Sequence, residues 1–244
     1  MTKNLAALLA GLLFLFTANS AFSDTPTNSL RVYGPGGPHK VLEECAQLFT
    51  EKHGTEVIVK KALPHDLDDL VTKRGDIYYG GAPYMLEEFN NRNPGVLNQD
   101  SVEHLYPRQI GIVVRKGNPY GIMGLECLTR DGVGLLDVKL ENMRQLHGVF
   151  DDNIKNLESM VYTGRQGLNE WLSNRDIDAW VTYRSWYFHL EDEAEFVEIS
   201  KEKALRSTPI ALTNHTRYPL EANNFIEFLK TDEAYKIFQK HGWN

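Results

Sequence analysis

Tyr33-Gly34-Pro35-Gly36-Gly37-Pro38-His39 joins a short apolar run, Leu30 to Tyr33, to an amphipathic stretch, His39 to His53. In that stretch Val41, Leu42, Cys45, Leu48 and Phe49 recur at helical spacing, and Gly54 ends it. A strand followed by a small-residue turn and a helix leaves the first N–H groups of the helix without partners, aimed at a point beyond the strand end. Such a point attracts anions.

The same unit repeats outward. Val57 to Lys61 reads as a strand, Leu63 to Lys73 as a helix and Asp76 to Tyr79 as a strand that closes on Gly80-Gly81-Ala82, with Pro83 opening another helix. This β-α-β-α-β-α order predicts parallel strands with helices on their faces, and ligands in such sheets sit beyond the carboxyl ends of the strands. Tyr106 to Arg115 is a longer apolar segment that stops at Lys116-Gly117-Asn118-Pro119, a candidate crossing into a second lobe. Beyond it, Val133 to Val138 and Asp178 to Tyr183 read as strands, Leu140 to Leu146 and Arg165 to Ser173 as helices, Pro209 to Thr213 as a returning strand, and Glu221 to His241 as two helices broken near Thr231-Asp232. The expectation is an α/β chain of two lobes. Residues 24–113 with 208–244 make the first lobe and 114–207 the second.

Residues 1–23 have the pattern of a cleavable export signal: Lys3, an apolar run from Leu5 to Phe16, then Ala21 and Ser23. The run is short for a membrane span, and no Cys follows it to take a lipid anchor. Cleavage after Ser23 leaves 221 residues and moves the formal charge from −7 to −8. An acidic chain argues against nucleic acid or an anionic membrane surface as partner. Cys45 and Cys127 are the two cysteines of the chain; Cys45 falls on an apolar helical face, so no disulfide is expected. The eight histidines lack metal-ligand spacing, and the elbow, zincin, P-loop and Cys-x-x-Cys motifs are missing, so neither a cofactor nor an enzymatic activity is expected.

Further residues suit a binding role. Arg108 precedes the apolar crossover strand, where a guanidinium clamps an oxyanion through two parallel hydrogen bonds. Thr163, Gly164 and Arg165 open a helix, with Thr163 able to cap it. Thr182 and Tyr183 end a strand of the second lobe, and Arg206 precedes the returning strand. With Gly34, Gly36, Gly37, Pro38, His39, Gly80, Gly81 and Ala82 they form the expected ligand set.

Val32-Tyr-Gly-Pro-Gly-Gly-Pro-His39, Asp76-Ile-Tyr-Tyr-Gly-Gly81, Gly111-Ile-Val-Val-Arg-Lys-Gly-Asn-Pro119, Asp178-Ala-Trp-Val-Thr-Tyr-Arg-Ser-Trp186 and the ending Phe225 to Trp243 resemble the accessory colonisation factor AcfC group of periplasmic solute-binding proteins over nearly all of the chain beyond the signal. The resemblance implies a type II periplasmic binding-protein fold, a small anionic ligand held between two lobes, and an ABC permease or a chemoreceptor as reader of the closed form. A colonisation factor that keeps the fold without tight binding is the alternative. The chain departs from the group where Gly132-Val-Gly-Leu-Leu-Asp-Val138 leads by a charged stretch to His147-Gly-Val-Phe-Asp151, in place of a Gly/Ser/Thr-rich loop.

Overall fold

The computed structural model describes residues 29–144, 155–200 and 204–244. The expected signal and the segment around His147 lie outside these residues. The chain begins with β1 (Leu30–Gly34), α1 (His39–His53), β2 (Val57–Lys61), α2 (Pro64–Arg74), β3 (Ile77–Tyr79) and α3 (Pro83–Arg92). The long strand β4 (Glu103–Arg115) leads to β5 (Leu135–Val138), β6 (Leu157–Val161), α4 (Gly164–Ser173), β7 (Ala179–Tyr183), α5 (Arg184–Tyr187) and β8 (Ala194–Glu198). Then β9 (Leu205–Leu212) returns to α6 (Pro219–Leu229) and α7 (Asp232–Lys240).

The strand order is β2-β1-β3-β9-β4-β7-β5-β6, with β8 pairing β4. In the first lobe β1 runs parallel to β2 and β3, as the alternating pattern predicts, and in the second β5 runs parallel to β6 and β7. The crossing strands run antiparallel to their neighbours. β4 belongs to both sheets: Glu103 to Gln109 pair with β9, and Ile110 to Arg115 pair with β7 and β8. It therefore changes partners at Gln109/Ile110, before the turn at Lys116.

Both faces of each sheet are covered, which explains the unbroken apolar run in β4. Ile110, Ile112 and Val114 enter one core with Val181, while Val113 enters the opposite one with Leu136, Trp171 and Trp180. In the first lobe, α1 turns Val41, Leu42, Cys45, Ala46 and Phe49 onto β1 and β2, and α6 and α7 add Phe225, Phe228 and Phe238 to the same core. Cys45 and Cys127 lie in different cores, and burial pushes the Cys45 thiol up to about 12. The second face packs Tyr33, Val71, Tyr78 and Phe89.

Three details differ from the sequence expectation. β6 and β8 add two strands, and β9 starts four residues early, at Leu205. At the start of the stretch read as a helix, Leu140 to Leu146, the structure has a 3-10 turn, Lys139–Glu141, ended by Asn142 at a left-handed φ of 48°; Arg144 is helical, and the rest of that stretch lies outside the described residues.

Two side-chain arrangements hold the second lobe together. Arg115 donates from Nε to Ile177 O at 2.6 Å, from Nη1 to Trp171 O at 3.1 Å and from Nη2 to Asn174 O at 2.6 Å. It thus satisfies carbonyls at the end of α4 while stacking 4.1 Å from the Trp171 ring. Gly111 is in the middle of β4 because a Cβ there would stand 2.4 Å from the Phe196 ring and 2.7 Å from Val197 O. Gly111→Val should cost about 1–3 kcal/mol through this overpacking, and Arg115→Met about the same through lost hydrogen bonds to buried carbonyls. Urea unfolding of the two variants checks both. Midpoints equal to wild type would remove the close packing and the carbonyl clamp from the account of this lobe.

Candidate functional site

The turns after β1 and β3 lie side by side. A Cβ on Gly81 would come within 3.5 Å of Pro35, and the Gly81 carbonyl accepts a hydrogen bond from Arg108 Nη2. Neither α1, which Pro38 precedes, nor α3, which Ala82 precedes, has a side-chain N-cap. Among the described residues, the N–H groups of Gly37, Gly81 and Ala82 donate to no acceptor. Two helix N-termini with open donors thus converge on one point, where the positive ends of both helices add.

Arg108 occupies that point. Its side chain leaves β4 at an irregularity in the pairing with β9, and the residue is 3% exposed. The guanidinium carbon lies over the Tyr183 ring, 3.5 Å from its centroid, and 5.3 Å from that of Trp243. A Cβ on Gly37 would stand 3.0 Å from Nη1, so glycine lets the turn come this close without displacing the guanidinium. Nε is buried with no partner among the described residues. Burial lowers the Arg108 pKa, opposed by Tyr183 and Glu141, but an arginine starts so high that it remains a cation.

Arg206 stands directly opposite Arg108 in the β4–β9 ladder. It donates to Glu141 O at 2.5 Å, to Asn142 O at 3.0 Å and to the Tyr183 hydroxyl at 3.2 Å. In this way β9 holds the 3-10 turn of the second lobe. Tyr84, in the first turn of α3, donates to Leu140 O of the same turn at 2.8 Å. The two lobes are therefore in hydrogen-bonded contact across the cleft.

Glu141 sits behind this contact, 6% exposed. Its two carboxyl oxygens face Thr182 Oγ1 and Trp186 Nε1, each at 2.7 Å. Burial raises its pKa to about 7, against the lowering pull of Thr182, Arg108, Trp186 and Arg206.

Of the residues expected from sequence, Gly37, Gly81, Ala82, Arg108, Tyr183 and Arg206 come together at this point, and Thr182 joins through Glu141. Gly34 and Gly80 shape the turns from behind, against Tyr79 and Pro209. Gly36 faces Lys61. His39 is governed by burial and then by Glu43 and Lys61, with its pKa lowered, and has no contact with Arg108. Thr163 spends its hydroxyl in a capping box with Gln166, Gly164 packs on the Trp186 ring, and Arg165 lies exposed 5.6 Å from that ring. Sequence reading missed Glu141 and Asn142, which sit in a stretch whose charge signals solvent exposure, and treated Trp243 only as part of a shared ending.

Two cavities open elsewhere, of about 320 Å³ beside Arg31, Arg74 and Arg217 and about 390 Å³ beside Tyr120 and Lys155. The arginines of the first are exposed, and neither cavity holds a buried charge with an unmet donor. The cleft at Arg108 has that feature, which makes it the better site.

Residues 30–244 match the family model described as bacterial extracellular solute-binding protein. A curated binding protein of Haemophilus influenzae is 24% identical over 266 residues, covering 99% of this chain and 98% of the relative. Among solved structures, PEB3 of Campylobacter jejuni, also solved with L-phospholactate bound, superposes with a TM-score of 0.71 at 25% identity, over 88% of this chain and 99% of PEB3. The sulfate-binding protein SubI of Mycobacterium tuberculosis superposes with a TM-score of 0.69 at 16% identity, over 88% and 86% of the two chains. With a model matched from the first strand to the last residue and the same two-lobed fold in solved binding proteins, the chain belongs to the bacterial extracellular solute-binding protein family.

Proposed function

We propose that this protein captures a small anion, a sulfate-like oxyanion or a small carboxylate or phosphorylated acid, in the cleft between its lobes. The observation that carries the reading is Arg108: a buried cation with an unpartnered Nε, faced by the open N–H groups of Gly37, Gly81 and Ala82. An oxyanion presents several acceptor oxygens to such a cluster and is held by charge-assisted hydrogen bonds. The L-phospholactate bound to PEB3 and the sulfate named for SubI belong to the same chemical class. A metal cargo has less support. Two buried guanidinium groups repel cations, and among the described residues no group of three or more His, Cys, Asp or Glu converges.

The Tyr84 and Arg206 contacts with the Leu140–Asn142 turn couple the site to closure, since they link elements of both lobes. A ligand that bridges the lobes stabilises that state by its differential contacts. In an exported protein of this family the closed form is what an ABC permease or a chemoreceptor would read. The AcfC-like motifs fit this role, with export through residues 1–23.

Protein unfolded and refolded to strip carried-over ligand should show a thermal shift with sulfate, molybdate, phosphate, citrate or L-phospholactate, and none with neutral amino acids. A ligand at 100 times its Kd adds about 2.7 kcal/mol of stability, a readily measured shift. Arg108→Lys keeps the charge but loses the planar fork, and should weaken binding at least tenfold by calorimetry; Gly37→Val, which drives a side chain toward Nη1, should do the same. A silent panel would overturn anion capture. Full affinity in both variants would move the site away from Arg108.

A further inference from the structure

The buried cluster at the lobe contact has unbalanced charge. Arg108 on β4 and Arg206 on β9 are 3% and 9% exposed, and both are cations. The acidic group that faces them is Glu141, brought by the 3-10 turn after β5. Among the described residues, the other groups that touch Glu141 or the two guanidiniums are neutral: Tyr84 from α3, Thr182 and Tyr183 from β7, and Trp186 from α5; Arg165 and His189 approach only the Trp186 ring, at 5.6 and 6.1 Å. Among the described residues, the Glu141 carboxyl reaches neither the Arg108 nor the Arg206 guanidinium within ion-pair distance. Its oxygens are turned to Thr182 and Trp186, while Arg206 takes the Glu141 main-chain carbonyl.

That geometry allows the carboxyl two states without rearrangement. Ionised, it accepts from the Thr182 hydroxyl and from the Trp186 N–H. Protonated, it donates to Thr182 Oγ1, whose hydroxyl rotates, and still accepts from Trp186. The cluster thus carries a net charge of about one with Glu141 ionised and about two with Glu141 protonated, in a low-dielectric setting where the difference is large.

Resting on the anion-capture reading above, we propose that Glu141 sets the charge of the cargo: the site is matched to a dianion, and binding a dianion there draws a proton onto Glu141. The proton comes from solvent and stays on the carboxyl, so the complex is neutral overall, with two guanidinium charges against two of the ligand. Glu141 acts through the field on the two arginines and through its hold on Thr182 and Trp186, and so tunes specificity without touching the anion.

The sign of the pH dependence follows from linkage. A bound dianion adds negative charge near Glu141 and raises its pKa above the value of about 7 in the free protein. The complex therefore binds more protons than the free protein above about pH 7. Affinity for a dianion is flat at lower pH and falls by up to tenfold per pH unit above about pH 7, until the pKa of the complex is reached. A monoanion gains less from the protonated state and shows a shallower slope.

Calorimetric titration of the refolded protein with sulfate, inorganic phosphate and L-phospholactate, at about pH 7.5 in two buffers of different ionisation enthalpy, counts the protons taken up. Sulfate separates the protein's proton from the ligand's, because it stays dianionic through the range used. Where sulfate does not bind, phosphate and L-phospholactate are read after subtracting their own titration. The expected result is uptake of most of one proton per dianion bound, together with the slope above pH 7. Glu141→Gln is isosteric and neutral at every pH, and should bind with no uptake by the protein and a flat profile. Dianion binding that depends on Arg108 but takes up no proton in the wild-type protein would overturn the role of Glu141 and leave anion capture standing. Proton uptake that persists in Glu141→Gln would place the titrating group elsewhere and overturn it also. No binding of any of the three anions would overturn both readings. The wild-type proton count needs no variant, so the test survives a Glu141→Gln protein that does not fold.

Discussion

Arg108 and Arg206 face each other across the two strands that pass between the lobes. Like charges directly opposite on neighbouring strands repel, and burial strengthens the repulsion. Much of the surrounding structure is the response to that constraint. Carbonyl oxygens of Gly81, Glu141 and Asn142 turn toward the guanidinium groups, and the Tyr183 ring lies between the two as the face for one and the hydroxyl partner of the other. These come from three different elements, so the constraint fixes the turn after β3, the turn after β5 and the end of β7 at once.

The shape of the chain end follows from the same point. Asn244 N donates to Pro107 O at 2.9 Å and Trp243 bridges to Arg108 as an isolated β contact, with its indole N–H donating to Thr208 at 3.0 Å. The last two residues thus brace the irregularity in β4 from which the Arg108 side chain departs. The Lys240–Glu44 ion pair at 2.7 Å and the His241–Glu44 hydrogen bond at 2.8 Å hold that end against the helix whose N-terminus faces the cleft. These pairs are partly exposed and individually weak. Their value lies in registering α1 with the chain end, while Phe49, Phe225 and Phe238 supply the burial.

The first lobe was legible in sequence because its signals are local. The Gly/Pro turn, the α1 stripe and the strand-turn-helix repeats each lie within a dozen residues, and α1 and β2 fall on the expected residues. The second lobe was less so. β6 and β8 are edge strands with polar residues on the open side, and Leu157 to Val161 has no fully buried position to mark it. The arginines were legible as candidates because a cation beside an apolar strand is conspicuous. Their opposition was not, because it depends on the β4–β9 register, which a bulge shifts. Glu141 was hidden for the opposite reason: Lys139 and Arg144 beside it make the stretch look solvated, and only the tertiary fold turns this carboxyl inward.

A closed cleft built this way does not need a charged ligand cage of fixed composition. The turns of the first lobe offer neutral N–H donors, and Arg108 offers a planar fork already oriented by Tyr183 and Gly81, so the loss of side-chain entropy on capture is small. The second lobe contributes through the Leu140–Asn142 turn, whose carbonyls Tyr84 and Arg206 hold. It follows that the first lobe supplies most of the attraction and the second supplies most of the closure. With Arg108 as a buried cation of the cleft, the buried Glu141 carboxyl behind it is the natural place to adjust how much negative charge the cleft will hold.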